Sequence, residues 1–484
     1  MKIRVLLVLT LTVMAVPAAS LSSYAAEPCP NGAPLAFDGA EGYGRCAQGG
    51  RGGVVVDVTN LNNSGPGSLR ECAEVMSGPR TCRVMVAGTI NLSGDITIRN
   101  DYVTIDGSPQ PIALKNWGIS IRANHVIVRH VRVRPGFASL PTNANGISVM
   151  SRETDGSGIH DVIIDHCSIS WTTDDSIGVI YGAQRTTIQD SIIAEGLISG
   201  GGCNNCSSKA ILTGTGSRSP ETVSILRNLS AHNLLRFPQT SGGEVDFVNN
   251  VDYNSSGVAA QIVPYYAPIH INFVGNYYKL GIDGPLFSAY NVSNNEIRTM
   301  GGQTYSAQSG IYVEGNVGRH CKPGDSQTCV IWGDNGGIAI QTQRYPHPPM
   351  PTVSAAEAYE RVLNHSGAWP RDAVDARIVN DVRKGTGRWI SDPMSVGGWP
   401  VLTSGPVPPV EPPPVVPPPV TPSPPVVPPP VVPPPVPPSA GFGVTTKMEK
   451  KVILEWKDTD CPGGVTNTRT GTASSRKITV TCKP

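Results

Sequence analysis

The chain has 484 residues, so it can contain more than one domain. Its 38 basic and 37 acidic residues leave a net charge of +1, which argues against a general electrostatic attraction to nucleic acid or to an anionic membrane. Aromatic residues make up only 6% of the chain and 53 residues are glycine, a composition that suits tight coils and turns better than a helical core.

The N-terminus has the pattern of a secretory signal peptide. Lys2 and Arg4 precede an apolar run over residues 5–16, and small residues follow up to Ala26. The apolar run is short for a membrane span, and no later segment is apolar over a sufficient length. We therefore predict a signal peptide over residues 1–26 and a secreted protein, either periplasmic or extracellular.

Eleven cysteines agree with an oxidising compartment. Proximity along the chain favours four disulfides, although sequence cannot prove the pairing. Cys203 and Cys206 form a single CxxC motif without two further zinc ligands nearby, so a local disulfide is favoured there. Cys167 lies among isoleucines, which indicates a buried free thiol. The four predicted disulfides are Cys29–Cys46, Cys72–Cys82, Cys321–Cys329 and Cys461–Cys482.

A short pattern recurs between residues 83 and 317. Two or three alternating apolar residues run into His, Asp or Asn, and another short apolar stretch follows. Intervals of 22 to 26 residues between these polar positions fit one coil of a β-solenoid, and longer intervals fit a coil with an insertion. The polar positions are His130, His166, Asp190, Asn228, Asn250, Asn276 and Asn316.

The recurring pattern predicts an all-β fold of short strands stacked coil upon coil over residues 27–404. One coil cannot bury its apolar face alone, and a polar side chain at a turn can pair with its counterparts in the coils above and below. A β-sandwich with irregular loops is the alternative. It is disfavoured because the Asn-Gly signals of tight hairpins are scarce.

Helical periodicity appears between residues 354 and 384. Ser354 and Glu357 form a capping box ahead of an apolar stripe, and Gly367 is expected to close this helix. A second helix is predicted over residues 373–382. Both helices are expected to pack against the flank or the end of the solenoid.

The C-terminal part of the chain differs in composition. Residues 405–439 are almost entirely Pro and Val, which predicts a stiff polyproline II linker of roughly 100 Å at about 3.1 Å per residue. Residues 440–484 contain two alternating apolar stretches, which predicts a small β-rich unit that a Cys461–Cys482 disulfide would stabilise. A binding appendage and a purely structural tail both agree with this composition.

Several motifs resemble the bacterial pectate lyase family of right-handed parallel β-helix polysaccharide lyases. The resemblance implies a right-handed parallel β-helix that cleaves polygalacturonate, an acidic polysaccharide, by β-elimination. Neither a nucleic-acid partner nor a membrane span is expected, and the protein is expected to be monomeric. The motifs, which together with the intervening chain reach from Ala36 to about Ser404, are AFDGAEGYGRCAQGGRGG, TNLNNSGPGSLRE, VRVRPG, VIIDHCSISWTTDD and AEAYERVLNHSGAWPRDAVDARIVNDV.

The resemblance also implies two catalytic and substrate-binding cations. Lys209 in SSKAILTG matches the family lysine that contacts the substrate carboxylate. Arg236 in NLLRFPQ matches the family arginine at the scissile C5, which is assigned as the base. A guanidinium normally keeps its proton, so stabilisation of developing charge is the alternative role. Singly, either residue would be interpreted as a surface cation, and their place in the motif order favours function.

The calcium site departs from the family pattern. Family members usually supply acids from two neighbouring coils, but one pair falls on the amides Asn143 and Asn145. The other falls on Asp174 and Gly178, with Asp175 as a substitute acid. Fewer charged ligands weaken a Ca²⁺ site, so we predict weak Ca²⁺ binding by Asp174, Asp175, Asn143 and Asn145.

Three functions remain open at this stage. The chain is predicted to be a pectate lyase whose Ca²⁺ site is completed by substrate carboxylates. A metal-independent lyase on another or an esterified uronan, and a non-catalytic β-helix adhesin or carbohydrate-binding protein, are the alternatives. The family's second arginine falls at Ser241 and is missing. A polygalacturonase-type hydrolase is disfavoured because its Gly-His-Gly and Arg-Ile-Lys signatures are absent.

Overall fold

The structure is a computed structural model. It describes residue 29 and residues 32–137, 145–151, 158–200, 203–204, 207–216, 221–256, 258–283, 296–319, 321–334, 336–404, 465–470 and 477–482. The chain divides into two compact units, Met1–Val410 and Glu411–Pro484. The predicted signal peptide, the Pro/Val linker, Asn143, Cys206 and Cys461 lie outside the described residues, so the disulfides predicted for Cys203–Cys206 and Cys461–Cys482 do as well.

Short strands make up most of the first unit. In chain order they begin with β1 (Val54–Val58), β2 (Arg80–Val84), β3 (Gly88–Asn91), β4 (Ile96–Ile98), β5 (Val103–Asp106), β6 (Ile112–Lys115), β7 (Ile119–Ile121), β8 (Val126–Arg129), β9 (Val131–Arg134), β10 (Ile147–Met150), β11 (His160–Asp165), β12 (Ser168–Ser170), β13 (Asp175–Ile180), β14 (Gln184–Gln189) and β15 (Ile192–Ala194). They continue with β16 (Ser199–Gly200), β17 (Cys203–Asn204), β18 (Lys209–Thr213), β19 (Thr222–Leu226), β20 (Leu229–Ala231), β21 (Gln239–Thr240), β22 (Gly243–Val248), β23 (Val251–Tyr253), β24 (Ala260–Ile262), β25 (Ile269–Val274), β26 (Tyr277–Lys279), β27 (Ile297–Met300), β28 (Gly310–Glu314), β29 (Ile331–Asp334) and β30 (Ala339–Gln341).

These strands form three parallel sheets, which confirms the predicted parallel β-helix. Among the described residues, sheet 1 has eleven strands in the order β1-β2-β5-β8-β11-β14-β19-β22-β25-β28-β30. Sheet 2 has nine, β29-β27-β24-β21-β18-β13-β10-β7-β4, and sheet 3 has eight, β26-β23-β20-β15-β12-β9-β6-β3. The chain therefore visits the three sheets in turn and returns to each one coil further along. β16 and β17 form a small antiparallel pair.

The interior is filled by rows of aliphatic and aromatic side chains in register. On sheet 1, strand pairing stacks one inward position through eight successive strands. All of these side chains are buried, because alternate residues of a strand point to the same face. The row consists of Cys82, Ile105, Val128, Ile164, Ile188, Ile225, Phe247 and Phe273.

Four asparagines at the turn between sheets 1 and 3 form the predicted polar ladder. The backbone N and Nδ2 of Asn228 donate to Oδ1 of Asn250 at 2.9 and 3.1 Å. Asn250 donates in the same way to Asn276 at 2.9 and 3.2 Å, and Asn276 to Asn316 at 3.1 and 2.8 Å. All four are buried, so the ladder supplies hydrogen bonds that water cannot.

The other three predicted polar positions, His130, His166 and Asp190, lie one residue before the position of the ladder. Strand pairing aligns Asn228 with Ser191 and Cys167. These three residues occupy the preceding turn position, equivalent to Arg227, where the backbone has φ between 46° and 56°. Ser191 N donates to Asn228 Oδ1 at 3.0 Å, so a serine extends the ladder there. Periodicity alone could not decide which of two adjacent turn residues is equivalent to Asn228.

Two helices cover sheet 3, α1 (Ala355–His365) and α2 (Ala373–Lys384). The predicted cap of α1 is present, because Ser354 Oγ accepts from Glu357 N at 3.3 Å. Helix α1 ends at His365, two residues before Gly367 at φ 90°. Helix α2 ends at Lys384, two residues beyond its predicted end, and Gly385 at φ 71° follows it. The predicted packing on the flank is confirmed by a cluster of apolar side chains from both helices and sheet 3, including Val362, Leu363, Ile378, Val382, Ile192, Leu229, Val251 and Tyr253.

A glycine-rich segment near the N-terminus, residues 36–53, lies across the outer face of sheet 1, and we call it the N-terminal strap. Gly44 N donates to Thr187 Oγ1 at 2.8 Å, and Gly50 N donates to Thr104 Oγ1 at 2.9 Å. A Cβ atom at Gly44 would lie 2.2 Å from the carbonyl oxygen of Val162, which explains why this position has no side chain.

Three of the predicted disulfides are present, Cys29–Cys46, Cys72–Cys82 and Cys321–Cys329. Cys167 is free and fully buried, as predicted. Short helical turns occur at Tyr43–Cys46, Glu71–Val75, Ser306–Gln308, Gln327–Val330 and Pro393–Val396. The second unit contains one antiparallel strand pair, β31 (Val465–Thr470) with β32 (Lys477–Cys482), in agreement with a β-rich tail.

Candidate functional site

Four of the predicted site residues lie together at the beginning of neighbouring strands of sheet 2. Asp174 immediately precedes β13, Asp175 begins it, and Lys209 begins β18. Asp175 and Lys209 are register partners, and Lys209 forms a bridge with Leu235, the residue before Arg236. Three successive coils therefore contribute the four side chains.

The two acids and the two cations of the site form separate ion pairs. Lys209 Nζ lies 2.6 Å from Asp174 Oδ1. Arg236 Nη1 lies 2.8 Å from Oδ1 and 3.0 Å from Oδ2 of Asp175. The four side chains are between 9% and 21% exposed, so they are accessible only from one side. Their formal charges cancel, and a ligand must compete with these pairs.

Local packing holds Arg236 in place. Its backbone has φ 69°, a left-handed conformation uncommon outside glycine. The next residue, Phe237, is buried, donates its N–H to Ala259 O at 2.7 Å, and packs edge-on against Phe247 at 5.0 Å between ring centroids. The guanidinium is thus presented from a turn whose far side is anchored in the core.

A hydroxyl pair that the motif comparison did not reveal supports Lys209. Ser176 Oγ donates to the carbonyl oxygen of Lys209 at 3.0 Å, and Thr172 Oγ1 lies 2.9 Å from Ser176 Oγ. All these contacts join residues 4 to 33 positions apart. The sequence feature that could have revealed this pair is the polar run around Thr172. From spacing alone, that run would be interpreted as a turn.

Burial raises the pKa of the Asp175 carboxyl above its usual value, and the charge of Arg236 acts in the opposite direction. The Asp175 side chain is only 9% exposed, so its negative charge has little water around it. The ion pair with Arg236 is therefore what favours the ionised form of Asp175.

Asn145 has a side-chain oxygen that lacks a hydrogen-bond partner among the described residues. Strand register places it opposite Asp175 in the preceding coil, since Ile147 pairs with Ile177. Its Nδ2 donates to Ser148 Oγ at 3.4 Å, whereas its buried Oδ1 has no hydrogen-bond partner. An unpaired amide oxygen with two nearby carboxylates has the donor chemistry that Ca²⁺ prefers.

The departures from the family calcium pattern persist in the structure. Gly178 lies within β13, and a Cβ atom built on it meets nothing within 4 Å, so the position is open but carries no acid. Ser241 is buried, with its N–H bonded to Thr213 O at 3.0 Å. Two carboxylates and an amide oxygen are ligands that Ca²⁺ takes, but they supply fewer charges than the family pattern.

Among the residues that the structure describes, two other groups of side chains near sheet 1 could geometrically hold a metal ion. They are His125 with His160 and Asp161, and His130 with Asp165 and His166. Their carboxylates are already engaged by arginines. Arg185 donates to both oxygens of Asp161 at 2.8 Å, and Arg129 Nε lies 2.7 Å from Asp165 Oδ2. They lie at the two ends of β11 and not among the four site residues.

No protein-family model matches this chain. Probable pectate lyase C of Aspergillus fumigatus is 34% identical over 385 residues, covering 77% of this chain and 83% of that protein. Probable pectate lyase C of Aspergillus oryzae is 33% identical over 388 residues, covering 77% and 84%. Among solved structures, jun a 1, the major allergen from cedar pollen, has a TM-score of 0.50 and 16% identity, covers 68% of this chain and 92% of its own, and supports the fold alone. These sequence relatives are fungal, although the motifs were compared with bacterial enzymes. The extent and identity of the two matches show that the chain belongs to the pectate lyase family.

Proposed function

We propose that the protein is a secreted polysaccharide lyase that cleaves polygalacturonate by β-elimination. The observation that carries the proposal is the meeting of Lys209 and Arg236, from successive coils, at Asp174 and Asp175 on sheet 2. Membership of the pectate lyase family supports the same substrate, because two relatives at 33–34% identity are named probable pectate lyases.

The reaction needs positive charge at a specific place. A water molecule at the site takes the proton from C5 of the uronate, the C5–H bonding electrons form the C4–C5 double bond, and the C4–O bond breaks with its electron pair on the leaving oxygen, which is then protonated by water. The C5 proton is a poor acid while the adjacent carboxylate keeps its full negative charge. Cations fixed beside that carboxylate stabilise the enolate-like transition state.

The chain's own cations meet this requirement. Lys209 binds the substrate carboxylate by exchanging its contact with Asp174. Arg236 lies at the C5 proton and stabilises the charge that develops there, a role that its guanidinium performs without losing a proton. Asp174 and Asp175 hold the two cations apart before substrate arrives. Because Ser241 occupies the position of the family's second arginine, Lys209 and Arg236 supply most of the positive charge at the substrate.

Calcium binding in this family is proposed to persist here in a weakened form. Asp174, Asp175 and the unpaired Oδ1 of Asn145 are the residues that would hold the ion, and Asn143 is expected to contribute from the same segment. When bound, Ca²⁺ neutralises part of the substrate's carboxylate charge. The protein ligands are few, so substrate carboxylates complete its coordination.

Export is proposed from the signal-peptide pattern over residues 1–26. Three disulfides among the described residues support an oxidising destination. In the part of the chain that the structure describes, no helix has the length and apolar character needed to cross a membrane.

The product identifies the reaction. Purified protein incubated with polygalacturonate is expected to give a rise in ultraviolet absorbance, because elimination leaves an unsaturated sugar end. We expect the rise to depend on added Ca²⁺ and to stop with chelator. A rise that chelator does not affect would show metal-independent elimination. Binding without a rise, on polygalacturonate and on methylated pectin, would contradict the proposal and favour a carbohydrate-binding protein or an adhesin.

Asn145→Asp is expected to strengthen Ca²⁺ binding about tenfold or more, since affinity follows the number of charged ligands. The substitution keeps the shape of the side chain and adds one negative charge opposite Asp175. Calorimetric titration of Ca²⁺ without substrate measures the change. Asn145→Ala is the matched control and is expected to bind no better than the natural protein. Equal affinities in the Asp and Ala variants would exclude Asn145 from the site.

A further inference from the structure

Two buried acidic side chains, Asp252 and Glu296, come from adjacent coils of the β-helix. They lie away from the ion pairs of sheet 2. Asp252 is the central residue of β23 in sheet 3, and its neighbours Val251 and Tyr253 pack outward against the helices. Alternation along a strand therefore directs Asp252 inward. Glu296 immediately precedes β27 of sheet 2. They are 3% and 6% exposed, respectively.

Both acids line one small pocket of about 30 Å³ that opens to solvent. Tyr278, the register partner of Asp252 on β26, and Ser255 lie on its wall. Leu280, which is 41% exposed, also lines it and so connects the interior to the surface. The pocket is therefore open to solvent at one end, whereas the acid oxygens lie at its buried end.

Three buried oxygens in this pocket lack hydrogen-bond partners within the described part of the chain. They are Asp252 Oδ1, Glu296 Oε2 and the Tyr278 hydroxyl. The remaining polar groups are otherwise engaged: Glu296 Oε1 accepts from Arg319 N at 2.5 Å, and the hydroxyls of Ser230 and Ser255 bond to Asp252. Buried oxygens of this kind are rare and normally have a proton donor or a metal as partner.

Nearby cations do not neutralise the two carboxylates. Arg319 lines the pocket, but its Nη1 is itself buried without a hydrogen-bond partner, and the described residues show no ion pair on Asp252 or Glu296. Lys279 directs its ammonium to the carbonyl oxygen of Val382 and to the Tyr359 hydroxyl. Lys322 acts on Glu296 only at longer range.

We infer that Asp252, Glu296 and Tyr278 form a cation site inside the β-helix that takes a hard divalent ion such as Ca²⁺. Two carboxylates balance the charge of the ion, the phenol and Ser255 hydroxyls add neutral oxygens, and water completes the six to eight ligands that Ca²⁺ takes. The site is separate from Asp174 and Asp175, so it does not depend on the proposed catalytic function.

The ion competes with protons for these oxygens. Burial raises the pKa of Asp252 to about 6 and that of Glu296 to about 7. Among the described residues, Arg319, Lys279 and Lys322 are the cations around the pair.

The test is Ca²⁺ titration of the EDTA-treated full chain at pH 8, followed by calorimetry and by the shift in Tm. The natural protein is expected to bind one ion here and to gain thermal stability. Asp252→Asn with Glu296→Gln is expected to lose both effects, and Tyr278→Phe to weaken binding severalfold. Asp174→Asn is expected to keep the Tm shift, which separates this site from the one on sheet 2.

Asp246→Asn is the matched control, because Asp246 is also a buried acid whose pKa is raised by burial, but it bonds to Asn272 outside the pocket. It is expected to keep the response to Ca²⁺. If the Asn/Gln variant does not fold, Tyr278→Phe decides the matter. An unchanged Ca²⁺ response in the pocket variants, or no response in the natural protein at pH 8, would overturn the inference and leave protons as the neutralising partners.

Discussion

Arg236→Ala is expected to lower kcat for cleavage of polygalacturonate by about 10²- to 10³-fold, the loss typical for removal of a group that stabilises transition-state charge. The guanidinium is held by both oxygens of Asp175 and by a turn anchored through Phe237, so its position in the site is fixed. Measurement of the initial rise in ultraviolet absorbance gives the effect.

Arg236→Lys separates charge from geometry. Lysine keeps the charge but not the planar fork, so a substantial part of the loss is expected to remain. Arg383→Ala is the matched control: Arg383 lies on α2, is paired with Glu360, and is not among the residues of the site. Its activity is expected to be unchanged. Natural turnover in a folded Arg236→Ala protein would show that the site is misplaced.

Lys209→Met is expected to change turnover and Ca²⁺ binding in opposite directions. Removal of the ammonium frees Asp174 from a 2.6 Å ion pair and makes the site one charge more negative. Ca²⁺ should then bind more tightly, whereas cleavage should fall because the substrate carboxylate has lost its cation. Parallel calorimetry and rate measurements on the same preparation distinguish this result from general misfolding, which would lower both.

The asparagine ladder gives the largest expected effect on stability. Asn250→Ala removes the acceptor of Asn228 N and Nδ2 and the donor to Ile225 O, which are all buried. Leaving two or three buried polar groups unpaired, at roughly 1–3 kcal/mol each, predicts a loss of about 3–5 kcal/mol in the free energy of unfolding. Denaturant titration followed by circular dichroism measures this quantity.

Asn250→Ser is expected to cost less than Asn250→Ala, because Ser191 already occupies the equivalent position and bonds to Asn228. Asn364→Ala is the surface control. Asn364 is exposed on α1 and accepts only from Arg383, so a change of about 0.5 kcal/mol or less is expected. Similar losses for Asn250→Ala and Asn364→Ala would mean that the ladder adds little to stability.

Features with a local cause were predictable from the sequence. The Ser354 cap depends on a residue three positions away, and the coil repeat depends on short apolar stretches that recur. The ladder at Asn228, Asn250 and Asn276 was found for the same reason. The prediction placed His166 and Asp190 in the ladder, although each lies one residue before the position equivalent to Asn228. The sequence pattern alone cannot decide which of two adjacent turn residues points inward.

Pairings across coils were not predictable in detail. The sequence proposed Lys209, Arg236, Asp174 and Asp175 as one group, but separations of 35 and 61 residues could not say which cation binds which acid. The inward position of Asp252 was also hidden. Its strand, Val-Asp-Tyr, has the alternation of a half-exposed strand, and only the packing of α1 and α2 on sheet 3 shows that the apolar residues face outward.

The N-terminal strap makes the unfolding of neighbouring coils cooperative. In a stack of coils where each contacts only its neighbours, terminal coils can fray independently. The strap prevents this, because its contacts reach from Arg80 on β2 through Thr104 and Thr187 to Ser224 on β19, and Glu41 pairs with Arg227 beyond that strand. Six adjacent strands of sheet 1 share this single piece of backbone. Release of one coil then requires release of the strap from all of them, so this part of the solenoid behaves as one cooperative unfolding unit.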